Sequence, residues 1–257
     1  MTVATDYYPS RVATPMALIP RVEPVVYARG TYAKALSAEQ LRSYEENGFL
    51  VMHDVFDPAE VQTYADELHR LLQNQELVGQ PGTITEPGSD AIRSLFKVHE
   101  HSALVQQLVQ DPRLLNVACQ ILGSDVYMHQ TRANFKPGFT GKAFYWHSDF
   151  ETWHVEDGMP AMRALSCSVL LTDNNASNGS LMLVPGSHRY FVPCLGETPE
   201  QHHKQSLKKQ EYGVPSQDHL TQLVDQGGLE TVQAKAGSVI FFDCNTIHGS
   251  ANNISPW

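Results

Sequence analysis

His147-Ser148-Asp149 lies within the stretch densest in residues able to do chemistry, Phe144 to Arg163. On an extended strand, side chains alternate from face to face. An H-x-D pair there would send one imidazole and one carboxylate the same way. A third ligand has to come from elsewhere, and His248, 99 residues beyond Asp149, is the best placed. It follows a β-rich run, Ser238 to Phe242. Two histidines and one carboxylate form the facial set that suits non-haem Fe(II), with the opposite face left open for a co-substrate and O2. H-x-D alone is also what a surface turn or a core histidine supplies, so the pattern leaves both readings open.

Elements that could hold these residues can be read from caps and periodicity. Ser37 and Gln40 form a capping box ahead of Leu41. Asp57-Pro58-Ala59-Glu60 gives an N-cap, a first-turn proline and a first-turn acid. Behind it Val61, Tyr64, Ala65, Leu68, Leu71 and Leu72 recur at helical spacing. Asp111-Pro112 opens a further helix, with Leu114, Leu115, Ala118, Ile121 and Leu122 expected inward and Gly123 as its stop. Residues 81–90 read as a loop. Beyond Gly123, β-rich runs alternate with turns, and strands are expected over 126–135, 163–171, 181–184 and 238–242. Residues 201–225 read as a polar excursion with some helix. The first 35 residues, rich in Pro, Tyr, Val and Arg, read as an extended arm over the body. The expected fold is α+β: a jelly-roll or cupin-like barrel with N-terminal helices packed on it. The domain expectation is an arm over 1–35 and one domain over 36–257.

Composition excludes several classes. With 18 Lys+Arg against 28 Asp+Glu, the net charge of −10 is the wrong sign for a general nucleic-acid binder. The cysteines Cys119, Cys167, Cys194 and Cys244 lie too far apart for a C-x-x-C zinc site, and reduced thiols are expected. The first twelve residues lack the apolar core of a secretory signal, and no apolar run approaches the roughly 20 residues of a membrane span. The expectation is a cytoplasmic protein with no membrane partner.

The stretches FYWHSDFETWHVEDGMPAMRALS, NGSLMLVPGSHR, SLKKQEYGVP and FFDCNTIHGSANNISPW together resemble the phytanoyl-CoA dioxygenase family of Fe(II)/2-oxoglutarate oxygenases, in particular its ectoine-hydroxylating branch. The resemblance runs from about Ser37 to Trp257. It implies a double-stranded β-helix core, Fe(II), 2-oxoglutarate and O2, and hydroxylation of ectoine to 5-hydroxyectoine by a homodimer. By position, it implies His147, Asp149 and His248 as iron ligands. Phe96, Asn134 and Lys136 would line the 2-oxoglutarate pocket. Gln130, Thr152 and Trp153 would contact ectoine, with Arg132 and Phe242 nearby. Asp149 sets the chain apart from halogenating relatives, which carry a small residue there.

Each assignment has a plainer alternative. Lys136 could be a solvated strand-end lysine, Trp153 and Phe242 plain core, and Gln130 a partner for a sheet edge. His154, Glu156 and Asp157 read as structural, His188 as a turn residue, and His202-His203 and Lys208-Lys209 as solvated. The family also places an arginine shortly after the second iron histidine. No Arg or Lys follows His248 here, so a C-terminally incomplete domain is the expectation. Three other functions fit the same ligands: oxygenation of another small zwitterion, zinc-dependent hydrolysis, and non-catalytic cupin-type binding.

Overall fold

The computed structural model describes residues 6–27, 34–86, 90–197 and 213–257. The element order is β1 (Ile19–Pro20), α1 (Ala38–Asn47), β2 (Phe49–Met52), α2 (Pro58–Leu72), β3 (Thr83–Thr85), β4 (Ile92–Phe96), α3 (Val98–His101), α4 (Ala103–Leu108) and α5 (Pro112–Leu122). There follow β5 (Arg132–Asn134), β6 (Phe144–His147), α6 (Asp149–Asp157), β7 (Leu165–Val169), β8 (Leu181–Leu183), β9 (Tyr190–Phe191), α7 (Gln217–Gly227), β10 (Glu230–Thr231), β11 (Val239–Asp243) and β12 (His248–Ser250).

The helix signals act as the sequence suggests. Ser37 and Gln40 close a reciprocal capping box on α1. Asp57 accepts from the backbone N–H groups of Ala59 and Glu60 at the start of α2. Gly123 ends α5 at φ 62°, a left-handed conformation that favours glycine. One detail of α5 differs. Val117 turns inward and Leu115 outward, because the buried stripe runs through Leu114, Val117 and Ile121.

β11 is the centre of the fold. All five of its residues are buried, since both faces are covered. It pairs antiparallel with β2 on one side and β7 on the other. Val239 and Phe241 point to one face, where they pack with Tyr44 of α1, Val61 of α2, and Leu114, Val117 and Ile121 of α5. Ile240 and Phe242 point to the other, against Leu183 of β8 and Val232. The second sheet runs β10-β8-β12-β6. Two antiparallel sheets thus enclose an apolar interior, with helices on the outer face of one: the jelly-roll arrangement that the sequence predicts. A third sheet, β3-β4-β5, flanks them.

Several expectations need correction. The N-terminal half is not purely helical: β2 and β4 lie within it, and β3 occupies part of the expected loop at 81–90. The expected strand over 126–135 shrinks to Arg132–Asn134. Tyr127 and Met128 are exposed, so nothing there draws the chain into a ladder. His202-His203 and Lys208-Lys209 lie outside the described residues. The four cysteines are unpaired, and no described helix is long and apolar enough to cross a membrane.

The segment over 6–27 runs across this body. β1 pairs with β9, and Tyr8 is buried against Phe150 and Phe191.

Phe241→Ala should remove about 3–5 kcal/mol of stability, because a large ring leaves a cavity between sheet and helices. Urea unfolding followed by circular dichroism measures it.

Candidate metal centre and active site

β6 and β12 pair antiparallel, and His147 stands directly opposite His248. Direct cross-strand partners point to the same side of a sheet, so the pairing brings the two rings together. Their centroids are 4.2 Å apart. Asp149 arrives differently from the sequence expectation. It is not on the strand: it is the first residue of α6, and Ser148 between them is the helix N-cap. Ser148 keeps extended dihedrals, φ −112° and ψ 143°. The alternation therefore still carries Asp149 to the side on which His147 lies.

One ligand atom from each residue lies within 4.8 Å of the others. Asp149 Oδ1 is 3.9 Å from the Nε2 atoms of both His147 and His248. The remaining atoms of the three side chains are engaged. His147 Nδ1 meets the Tyr145 carbonyl at 2.6 Å, and His248 Nδ1 meets the Thr246 carbonyl at 2.9 Å. A carbonyl can only accept, so each Nδ1 carries a proton, and each Nε2 is the atom left facing Asp149. Asp149 Oδ2 accepts from Ser166 Oγ at 2.7 Å, leaving Oδ1 toward the histidines. Burial, then the neighbouring His248 ring, holds His147 well below the usual imidazole range. His147 is therefore neutral at pH 7. Two imidazoles and a carboxylate, each steadied through its far atom, fit a divalent first-row metal with an open coordination face.

Beside this cluster lies a concentration of cations around one ring. Arg93, Arg132 and Lys136 approach the Phe144 ring at 4.4, 5.0 and 5.3 Å from its centroid. Arg132 also lies over Phe96, its cross-strand partner, at 4.7 Å. Its Nη2 donates to Ser94 Oγ at 3.1 Å, while its Nε is buried and has no hydrogen-bond partner among the described residues. Burial pushes Arg132 down to about 10, against the pull of Asp149. Lys136 Nζ donates to Ser250 Oγ and the Ala251 carbonyl, both at 2.6 Å. It is pushed down to about 8 by burial and then by Arg93, with Glu86 opposing. Desolvated cations gathered in this way suit an anion.

The other predicted site residues fall as follows. Asn134, exposed on β5, accepts from Ser94 Oγ at 2.9 Å. Phe242 lies 4.9 Å from His248, ring to ring. Thr152 and Trp153 follow Asp149 by three and four residues, on the same face of α6. Trp153 is buried, and the His129 ring meets it at 5.0 Å. Gln130 is exposed on the stretch before β5, and no contact among the described residues ties it to the cluster. Ser94, Ser166, Ser250 and Arg93 also belong to the site; single serines and arginines carry no spacing signal that would single them out. His188 is buried in a short 3-10 turn, with Nε2 on the Glu45 carbonyl.

Residues 44–256 match the phytanoyl-CoA dioxygenase family. The chain belongs to that family. Among curated relatives, the ectoine dioxygenase of Bordetella bronchiseptica is 61% identical over 254 residues, covering 99% of this chain and 82% of the relative. Among solved structures, EctD from S. alaskensis with 2-oxoglutarate and 5-hydroxyectoine superposes with a TM-score of 0.88 at 43% identity, over 98% of this chain and 83% of that one. The same protein with bound Fe gives 0.87 at 42% identity, over 98% and 84%. The likeness to these solved structures therefore runs along nearly the whole of this chain.

Asp149→Ala should abolish Fe(II) binding in an anaerobic equilibrium titration while leaving the far-ultraviolet circular dichroism spectrum unchanged. Unaltered Fe(II) affinity would remove Asp149 from the ligand set.

Proposed function

We propose that this protein hydroxylates ectoine to 5-hydroxyectoine, consuming 2-oxoglutarate and O2 and releasing succinate and CO2, with Fe(II) held by His147, Asp149 and His248. The observation that carries the reading is the fold-wide match to EctD from S. alaskensis with 2-oxoglutarate and 5-hydroxyectoine, at a TM-score of 0.88. When bound, the metal supplies O2 activation coupled to oxidative decarboxylation of the 2-oxo acid.

The side chains do the rest by position. The Nε2 atoms of His147 and His248 and Oδ1 of Asp149 would hold the metal. Lys136 and Asn134 provide donors for the carboxylates of 2-oxoglutarate, and Phe96 and Phe144 wall off water beside them. Ectoine is a small ring bearing an amidinium cation and a carboxylate. Trp153 and Phe242 offer aromatic faces to the cation. Arg132, with its unsatisfied Nε, offers a donor to the carboxylate. Thr152 and Gln130 complete the polar rim. Residues 36–257 act as one oxygenase domain in a cytoplasmic homodimer that engages neither nucleic acid nor membrane. Light scattering behind size-exclusion chromatography should give twice the chain mass.

The decisive assay mixes protein, Fe(II), 2-oxoglutarate and ectoine anaerobically, admits air, and follows succinate and 5-hydroxyectoine together. Equal yields of both are expected. Succinate without 5-hydroxyectoine would overturn the choice of substrate, and neither product would overturn the activity.

Lys136 gives a pH dependence with a definite sign. In the free protein it is protonated below about pH 8 and neutral above. A bound dicarboxylate favours the protonated form, so affinity for 2-oxoglutarate should be full near pH 7 and about tenfold weaker at pH 9. Calorimetric titration across this range measures it. Lys136→Met should bind more weakly at pH 7 and lose most of the slope.

A further inference from the structure

The family match begins at residue 44, yet the segment over 6–27 touches α6, which begins with Asp149, and Asp243, which opens the turn into β12. It carries two arginines with side chains only 3% exposed, Arg11 and Arg21. A guanidinium buried to that degree is costly unless paired, and each is paired with a carboxylate that belongs to the machinery around the metal cluster.

Arg11 pairs with α6. Its Nε lies 3.2 Å from Glu151 Oε1 and its Nη2 3.3 Å from Glu151 Oε2, a two-point grip. Nη2 also reaches Glu156 Oε1 at 2.6 Å. Ser10 Oγ donates to Glu151 Oε1 at 2.7 Å. Further contacts with the helix come from Tyr8, edge-on to Phe150, and from Asp6, 3.0 Å from His154 Nε2. Arg11 itself has φ 54°. This left-handed conformation is unfavourable for a side chain of its size and is kept only where the surroundings enforce it. The helix so gripped begins at Asp149, two residues before Glu151.

Arg21 pairs with the turn before β12. Its Nη1 lies 2.8 Å from Asp243 Oδ2, and its Nη2 donates to the Met162 carbonyl at 2.6 Å. Asp243 shapes that turn: Oδ1 accepts from the Asn245 N–H at 2.9 Å, and its carbonyl accepts from the Thr246 N–H at 2.9 Å. The Thr246 carbonyl in turn fixes His248 Nδ1. The two branches meet where the Phe150 N–H donates to the Cys244 carbonyl at 2.8 Å.

We infer that this segment is a brace for the metal centre, in which Arg11 acts through Glu151 to set Asp149 and Arg21 acts through Asp243 to set His248. The inference rests on the reading of His147, Asp149 and His248 as metal ligands. Plain stabilisation accounts poorly for these pairs. Apolar side chains of equal volume usually stabilise a core as well as or better than a buried ion pair. An ion pair adds direction: one is directed at α6, which begins with Asp149, and the other at Asp243, which opens the turn into β12. Arg11 and Arg21 are therefore positioning residues.

The test is anaerobic equilibrium titration of the apo-protein with Fe(II), alongside the absorption spectrum of the Co(II)-substituted protein. Arg11→Gln and Arg21→Gln are compared with Leu71→Ala, which opens a cavity in a separate apolar cluster. Each arginine variant should weaken Fe(II) binding about 10- to 100-fold, the range found when groups that orient metal ligands are removed, and should shift the Co(II) bands. Leu71→Ala should lower the melting temperature while leaving affinity and spectrum unchanged. Arg11→Lys, which keeps the charge but not the two-point grip, should fall between wild type and Arg11→Gln. Wild-type affinity and spectrum in both glutamine variants would overturn the brace, as would an equal loss in Leu71→Ala. A variant that fails to fold is replaced by Glu151→Gln or Asp243→Asn, which keep the volume and face the same two outcomes. Failure of the wild type itself to bind Fe(II) or Co(II) would overturn the metal centre, and the brace with it; that result is distinct from one confined to the arginine variants.

Discussion

The register between β6 and β12 places His147 opposite His248, and it leaves little latitude. A slip of one residue would send one ring to the far face of the sheet. β12 is itself fixed on its other side by β8, where His248 lies opposite Leu183. Leu183 is wholly buried and packs against Ile240 and Phe242 of the facing sheet. The core thus transmits its register to the ligands. Side-chain packing between the sheets fixes β8, the ladder fixes β12, and β12 fixes the spacing of the two imidazoles.

The electrostatics of the site follow from the same burial. Histidines placed on an interior face are desolvated, and for His147 that favours the uncharged ring able to donate a lone pair. The cations around Phe144 are desolvated too, without a matching carboxylate at bonding distance from Arg132 or Lys136 among the described residues. The cluster of two imidazoles and a carboxylate and the group of desolvated cations are adjacent, which is the electrostatic pattern suited to an anionic ligand that chelates a metal.

Much of this was legible in the residues. Caps at Ser37, Asp57 and Asp111 depend on neighbours two or three positions away, so local sequence specifies them. The pairing of His147 with Asp149 needs only an extended Ser148. The position of Asp149 in a helix was also written locally, because Ser148 followed by Glu151 is the S-x-x-E signature of a helix start. The apolar and aromatic run before it favours strand and masks that signal. Other features are invisible to local reading. β4, which no local signal marks, exists as a strand because it pairs with β3 and β5. Arg11 and Glu151 are separated by 140 positions, and nothing in the composition of either segment announces the other. Thr152 and Trp153 share a face with Asp149 only once the helix is known.

The ion pair between Arg11 and Glu151 also bears on the order of assembly. During synthesis the residues over 6–27 emerge first, yet Glu151 and Asp243 follow only much later. Contacts of such long sequence separation are closed late and at high entropic cost. The N-terminal stretch therefore waits, undocked, while the sheets form, and its docking belongs to the last stage of folding. With the brace inferred above, the tightest iron binding comes only after that docking. A half-folded chain, its sheets paired but α6 not yet gripped by Arg11, offers the ion a poorer home than the finished protein.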